Sequence, residues 1–223
     1  ILDKTVSGID SFAFSKNTTI TSVTMPNTVT KVGDSAFADA TNLLSAKLSE
    51  NCTDVGICLF QGCTSLKSVD LNSKITLINA QMFYKCSSIE SIVIPDTVNK
   101  IGNYAFSECS SLKSVYIPSS VTEISRSAFR KTASVTIKGS YGSYAEEYAK
   151  ANNIPFEGIS AYDVGDVNMD GGINILDATL VQKYVVGIVE LSAEQKHLAD
   201  YNKDGDITVF DATEIQKFIV HLN

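Results

Sequence analysis

Apolar and polar positions repeat along most of this chain with a fixed step. Phenylalanines stand at Phe14, Phe37, Phe60, Phe83, Phe106 and Phe129, each 23 residues after the last. Three more apolar columns keep the step: Ile20, Leu43, Leu66, Ile89 and Leu112; Val23, Ala46, Val69, Ile92 and Val115; Met25, Leu48, Leu71, Ile94 and Ile117. A period of about 20–50 residues marks a solenoid or another repeat array. Ile101–Val121 is the fullest unit. In it Val115 and Ile117 alternate across Tyr116, so both point to one face of a short strand, and Pro118 ends the strand. Ala105 and Phe106 fall on a turn or short helix at the opposite side of the coil. One unit cannot bury these groups alone, whereas stacked units share a continuous core. The prediction is a sheet of short parallel strands.

The positions between the core columns face the open side of that sheet. One is serine throughout, at Ser22, Ser45, Ser68, Ser91, Ser114 and Ser134; its neighbour is mixed, at Thr24, Lys47, Asp70, Val93, Tyr116 and Thr136. These describe either a solvated face of small residues or a shallow ligand-binding face, with Tyr116 beside Val93 its most contact-like spot. The last unit departs from the pattern, because Ser134–Ile137 comes three residues early. Tyr141 to Asn153 then reads as a capping helix with Tyr144, Tyr148 and Ala151 on one face. Ile154–Phe156 reads as a closing strand. Ile1 to Val6 aligns with the tail of a repeat, consistent with an array that begins upstream.

Cys63, Cys86 and Cys109 share one column, three residues after the phenylalanine, and are expected to stack as buried thiols packing like small apolar groups. Cys52 and Cys58 complete an odd count of five, so full internal pairing is excluded. A metal site on the array is disfavoured, since residues 1–162 contain no histidine.

At Asp163 the period changes. Asp166–Asp177 is a 12-residue loop repeated 34 positions later as Asp200–Asp211. Calcium takes about six to eight oxygen ligands. Loop positions 1, 3 and 5 offer side-chain oxygens from Asp166, Asn168 and Asp170, and again from Asp200, Asn202 and Asp204. Position 6 is glycine in both loops, Gly171 and Gly205, where the chain turns sharply. Position 7 offers the carbonyls of Gly172 and Asp206, position 9 offers Asn174 and Thr208, and position 12 offers Asp177 and Asp211. Two calcium ions are predicted. Ile173 and Ile207, at position 8, are expected to pair the loops. A helix follows each loop, with matching wording from Ala178 to Val186 and from Ala212 to Val220. The charge agrees: residues 163–223 hold four lysines against 11 Asp and Glu and so carry the whole net charge of −7. Such an acidic segment disfavours nucleic acid.

Two resemblances follow. The L-x-x-L-x-L rhythm of Leu112, Val115 and Ile117 inside 23-residue units resembles the bacterial BspA-like leucine-rich repeats over residues 1–159. The duplicated loop-then-helix at Asp163–Asn223 resembles the dockerin family, and its D-A-T-x-x-Q-K-[YF] wording is similar to ruminococcal cellulosome dockerins. The expected fold is therefore an α/β leucine-rich-repeat solenoid over residues 1–159, followed by a small all-α dockerin of two calcium loop-helix motifs over residues 160–223. The resemblance implies a cohesin module as partner, contacted by Ile175, Leu176, Gln182 and Lys183 and by Val209, Phe210, Gln216 and Lys217. Those loop-end pairs are apolar where clostridial type I dockerins carry Ser-Thr, which suggests a more hydrophobic contact; alternatively Val209 and Phe210 belong to the module's core.

The function expected is that of a secreted, non-catalytic cellulosome-type or cell-surface component, its array presenting a surface to a protein or glycan. An enzyme is disfavoured, since the only histidines, His197 and His221, lie in the acidic segment, and Glu146-Glu147 reads as a solvated pair on the capping helix. The alternatives are an accessory part of an enzyme whose catalytic module lies upstream, or a surface adhesin. No run approaches the ~18 apolar residues of a membrane span. The start at Ile1, with no signal-peptide pattern, is expected of a trimmed or mature chain.

Overall fold

The computed structural model describes residues 5–221, apart from the side chain of His221; the alignment of Ile1–Lys4 with a repeat tail lies outside them. The chain divides into two compact units. One runs to Gly139 and takes in Ser143–Glu157, and the other comprises Ser140–Gly142 and the chain from Gly158 onward.

In chain order the strands are β1 (Gly8–Ile9), β2 (Ser22–Thr24), β3 (Lys31–Val32), β4 (Ser45–Lys47), β5 (Asp54–Val55), β6 (Ser68–Asp70), β7 (Leu77–Ile78), β8 (Ser91–Val93), β9 (Lys100–Ile101), β10 (Ser114–Tyr116), β11 (Glu123–Ile124), β12 (Thr136–Ser140) and β13 (Phe156–Ile159). The even-numbered strands from β2 to β12 are the predicted sheet positions. The two-residue odd-numbered strands β1 to β11 form a second parallel ladder that the apolar columns did not announce. Its signal is the short exposed-then-buried pair, such as Lys31-Val32 or Lys100-Ile101, just before each turn.

The phenylalanine segment forms turns rather than helix. Each turn holds non-glycine residues with left-handed backbone, including Ser35, Asp39, Gln81, Lys85 and Glu108, a conformation that costs roughly 1–2 kcal/mol per residue. The same residues aim their N–H groups at the next coil. Gln81, Phe83 and Lys85 donate to the carbonyls of Asn103, Ala105 and Ser107, and the preceding turns do likewise. The strained backbone is what lets three N–H groups per turn bond to the neighbouring coil.

Inside this frame the six phenylalanines form one stack, with ring centroids 5.1 Å apart at Phe14–Phe37 and 5.2 Å at Phe106–Phe129. The thiol column lies beside it. The thiols are buried, but they also act as donors: Cys63, Cys86 and Cys109 bond to the carbonyls of Phe37, Phe60 and Phe83, each at 3.0 Å. Thr132 continues the column with its hydroxyl on Phe106. All five cysteines are free. Burial pushes the Cys63 and Cys109 thiols up to about 12 and Cys86 well above its ordinary range.

The end of the array corrects three expectations. β12 pairs Thr136 with Ser114, Ile137 with Val115 and Lys138 with Tyr116. Thr136, not Ser134, ends the serine column, and Lys138 ends the mixed one. Val135 keeps the place of Leu112 and is buried, while one residue rather than two separates it from the next core position. The last coil is thus one residue short, not three. The capping helix α1 spans Tyr144–Ala151 and is capped by Ser143; it buries Ala145, Tyr148 and Ala149. Tyr144 and Ala151 are exposed, because the face that meets the array is centred between Ala145 and Ala149. Tyr148 covers Phe129 at 6.1 Å and bonds to the Ser125 carbonyl. The closing strand starts at Phe156, two residues later than expected, since Ile154 and Pro155 lead into it.

One seam interrupts both ladders. No ladder joins β5 to β7 or β6 to β8 among the described residues. At the other steps a backbone N–H bonds the carbonyl of the coil before, from Gly33 to Ile9, Gly56 to Val32, Gly102 to Ile78 and Ser125 to Ile101. At the seam this column holds Asn79, whose side-chain amide takes the Val55 carbonyl instead. Val69 and Leu71, core positions elsewhere, are only half-buried here.

Where the ladder is intact it leaves no room. A Cβ on Gly56 would lie 2.4 Å from the backbone nitrogen of Asp34. Gly56→Ala is expected to lower stability by about 1–3 kcal/mol, and Asn79→Ala, at the open seam, by about 1 kcal/mol; urea denaturation compares them.

A thiol harder to ionise when folded contributes stability below its ordinary 9.0, and that contribution is lost as the pH rises toward 12. Native-state alkylation at pH 8 should reach Cys58, the one thiol not fully buried, well before Cys63, Cys86 or Cys109. Mass spectrometry of the labelled protein checks the order, and thermal melts above pH 9 check the loss.

Candidate functional site

The second unit is built on two loops with the same backbone. Position 4 is left-handed in both, at Met169 and Lys203 (φ 60° and 61°), and position 6 is glycine at φ 93° and 94°. The side-chain bonds repeat as well. Asp166 accepts from the N–H groups of Asp170 and Gly171, and Asp200 accepts from those of Asp204 and Gly205. Asn168 bonds Asp170, and Asn202 bonds Asp204. Asp177 accepts from Asn168 and Asn174, and Asp211 from Tyr201, Asn202 and Thr208. The Gly172 carbonyl accepts from the Asn174 amide, and the Asp206 N–H bonds Asp204.

Each loop feeds a helix. Asn174 caps α2 (Ile175–Val185) in a capping box with Asp177. α3 (Ala193–Ala199) is capped by Ser192 and Gln195. α4 (Val209–His221) starts after Thr208, whose hydroxyl accepts from Phe210. α3 was not predicted, although Ser192-x-x-Gln195 is a readable capping-box signature. The α2 and α4 faces bury Ala178, Val181, Ala212 and Ile215, and Ile173 and Ile207 pack against this core, half-buried.

Asp166, Asp177 and Asp211 are buried. Their partners are backbone N–H groups and the Thr208 hydroxyl, and no ion pair among the described residues includes them. Burying an ionised carboxylate without a counter-charge is costly. The donor set around them is all oxygen, from Asp and Asn side chains, Thr208 and backbone carbonyls, which is the chemistry of a hard cation such as calcium. No three Asp, Glu, His or Cys side chains among the described residues converge as a metal cage; the position-12 carboxylates are held by N–H donors. The residues thus suit calcium in type, charge and order.

The predicted partner face is exposed. Ile175 and Leu176 are 55% and 60% accessible, Val209 and Phe210 58% and 54%, so neither pair belongs to the core. Gln182, Lys183 and Lys217 are exposed and Gln216 is half-buried. Lys217 lies 5.8 Å over the Phe210 ring and pairs with Glu214.

The profile described as BspA type leucine rich repeat region matches residues 2–140 in six copies, and that described as dockerin type I domain matches residues 164–220. No curated protein matches the chain. Among solved structures, a leucine-rich cell surface protein from Faecalibacterium prausnitzii A2-165 is 34% identical with a TM-score of 0.55, over 58% of this chain and 34% of that one. A leucine-rich repeat protein from T. pallidum is 31% identical with a TM-score of 0.54, over 59% of this chain and 64% of that one. A leucine-rich repeat protein from Bacteroides ovatus ATCC 8483, 22% identical with a TM-score of 0.54 over 72% of this chain and 47% of that one, shares the fold. The chain spans about a third of the first relative and under two thirds of the second.

Removing calcium leaves the buried carboxylates without a counter-charge, so chelation is expected to melt α2 and α4 while the array persists. Circular dichroism should show a loss of helical signal in EDTA that returns with added calcium.

Proposed function

The chain belongs to the BspA-type leucine-rich repeat family and carries a type I dockerin domain in its C-terminal part, and we propose that it is a non-catalytic component held on a partner's cohesin module, its array serving as a recognition surface for a protein or glycan. The working division is an array over residues 1–159 and a dockerin over residues 160–223. Two calcium ions are assigned. Asp166, Asn168, Asp170, Gly172, Asn174 and Asp177 hold one; Asp200, Asn202, Asp204, Asp206, Thr208 and Asp211 hold the other. Calcium supplies the positive charge these loops lack, and the loops in turn fix where α2 and α4 begin.

The observation that carries the cohesin reading is the duplicated apolar pair at those helix starts. Ile175-Leu176 and Val209-Phe210 are each more than half exposed and stand at equivalent places in the two copies, whereas the other well-exposed apolar groups, Val186, Ile188 and Val220, lie at or beyond the far ends of α2 and α4. Gln182, Lys183, Gln216 and Lys217 lie on the same two helices, about two turns further on. No helix among the described residues is long and apolar enough to cross a membrane. Dockerins and BspA-type repeats are typical of extracellular and cell-surface proteins, and we place this chain there, in a cellulosome-type or surface-bound assembly.

Calorimetry with a panel of cohesin modules tests the reading: calcium-dependent binding to at least one is expected, and silence across the panel overturns it. The two copies are not equivalent. Phe210 is larger than Leu176 and is covered by Lys217, and large aromatic anchors often dominate interfaces. Phe210→Ala should therefore cost about 1–2 kcal/mol more binding energy than Leu176→Ala. Equal losses would mean that either copy can lead.

A further inference from the structure

At the end of the array a cavity of about 500 Å³ opens between the last turn and the cap. Its lining includes the buried Phe129, Val135 and Tyr148 and the exposed Pro155, Arg126, Arg130 and Asn153. Arg126 and Arg130 are the only arginines in the chain. Elsewhere the array balances its charges from coil to coil with lysine, as in Lys31–Asp54, Lys47–Asp70 and Lys100–Glu123. The two guanidinium groups take part in no ion pair among the described residues. Glu108, near Arg130, is held by Lys131 and Tyr84. Glu147 shares a neighbouring hollow with Arg126 without pairing to it.

The backbone differs at the same end. In each earlier turn the phenylalanine N–H, and the N–H two residues after it, bond to the next coil; Phe106 and Glu108 donate to Ala128 and Arg130. Phe129 and Lys131 hold those places in the last turn, where no further coil follows. The Phe129 N–H is taken by the hydroxyl of Tyr148 from the cap, and the Lys131 N–H bonds no further coil among the described residues. A planar guanidinium matches a carboxylate in a bidentate fashion.

We propose that this end of the array binds a carboxylate-bearing saccharide, a hexuronate unit of a glycan. Arg126 and Arg130 would take the carboxylate, the amide of Asn153 the ring hydroxyls, and the exposed ring of Pro155 the apolar face of the sugar. The volume lies within the ~300–1,000 Å³ of small-ligand sites. An acidic peptide fits less well, since extended peptides use a free strand edge or a long groove, and neither lines this cavity. The inference rests on the array alone and stands apart from the cohesin reading.

Calorimetry of the full chain with trigalacturonate is the test, against a neutral galactose trimer, a glutamate-rich peptide and inorganic phosphate. Saturable binding of trigalacturonate that weakens with salt is expected, and the neutral trimer should bind about tenfold more weakly or not at all. Arg126→Ala and Arg130→Ala should each weaken it about tenfold, with lysine replacements intermediate and melting temperatures unchanged. No binding, equal binding of the neutral trimer, or undiminished binding by both alanine variants overturns the proposal. Tighter binding of the peptide would assign the site to a protein ligand, and binding of phosphate alone would mark it as a bare anion site; either also overturns the saccharide assignment.

Discussion

A backbone N–H that has left its own coil must find a carbonyl in the next one. The turns of this array place left-handed residues where the chain needs N–H groups pointing along the stack, and that strain is offset only if another coil follows. The phenylalanine stack, the thiol column and the coil-to-coil lysine pairs all repeat at the spacing this bond sets. The same constraint governs the end. Tyr148 covers the last phenylalanine and takes its N–H on the side-chain hydroxyl, so a side chain replaces the next coil's carbonyl, and the chemistry of that end differs from the chemistry of the middle.

The acidic segment obeys a different constraint, that of charge. Two loops of one design bring carboxylates together faster than lysines can balance them, and three are buried. Backbone N–H donors hold these side chains in place without neutralising them. The carboxylates at position 12 belong both to the loop and to the first turn of the helix. The exposed apolar pairs are set at those helix starts, so the loop geometry also fixes where they stand.

Much of this was legible in the sequence because two periods were legible. The step of 23 gave the core columns, the strands and the buried thiols; the step of 34 gave the loops and the helices after them. What escaped was local. Val135 kept its column while one residue dropped out after it, and a count based on Ser134 could not see that. Tyr144 and Tyr148 look alike in a helical pattern, and only the neighbouring Phe129 decides which is covered. The short second ladder lacks the alternating length by which strands are recognised. The α3 helix is seven residues long, with a cap signature but too little apolar pattern to stand out. The arginines at the end of the array gave no signal at all, since nothing in their local sequence says that the next coil is missing.

The seam at Asn79 has a mechanical meaning. In a solenoid each coil holds only its neighbours, so resistance to a pull along the chain is set by the weakest interface rather than the average one. Here one side-chain amide has displaced a backbone rung, and the strands beside it, β5 and β7, share no ladder. The turns still cross this joint, from Cys58 to Ala80, Phe60 to Met82 and Gly62 to Tyr84, so a load on the array would pass there through the turns and not through the strands.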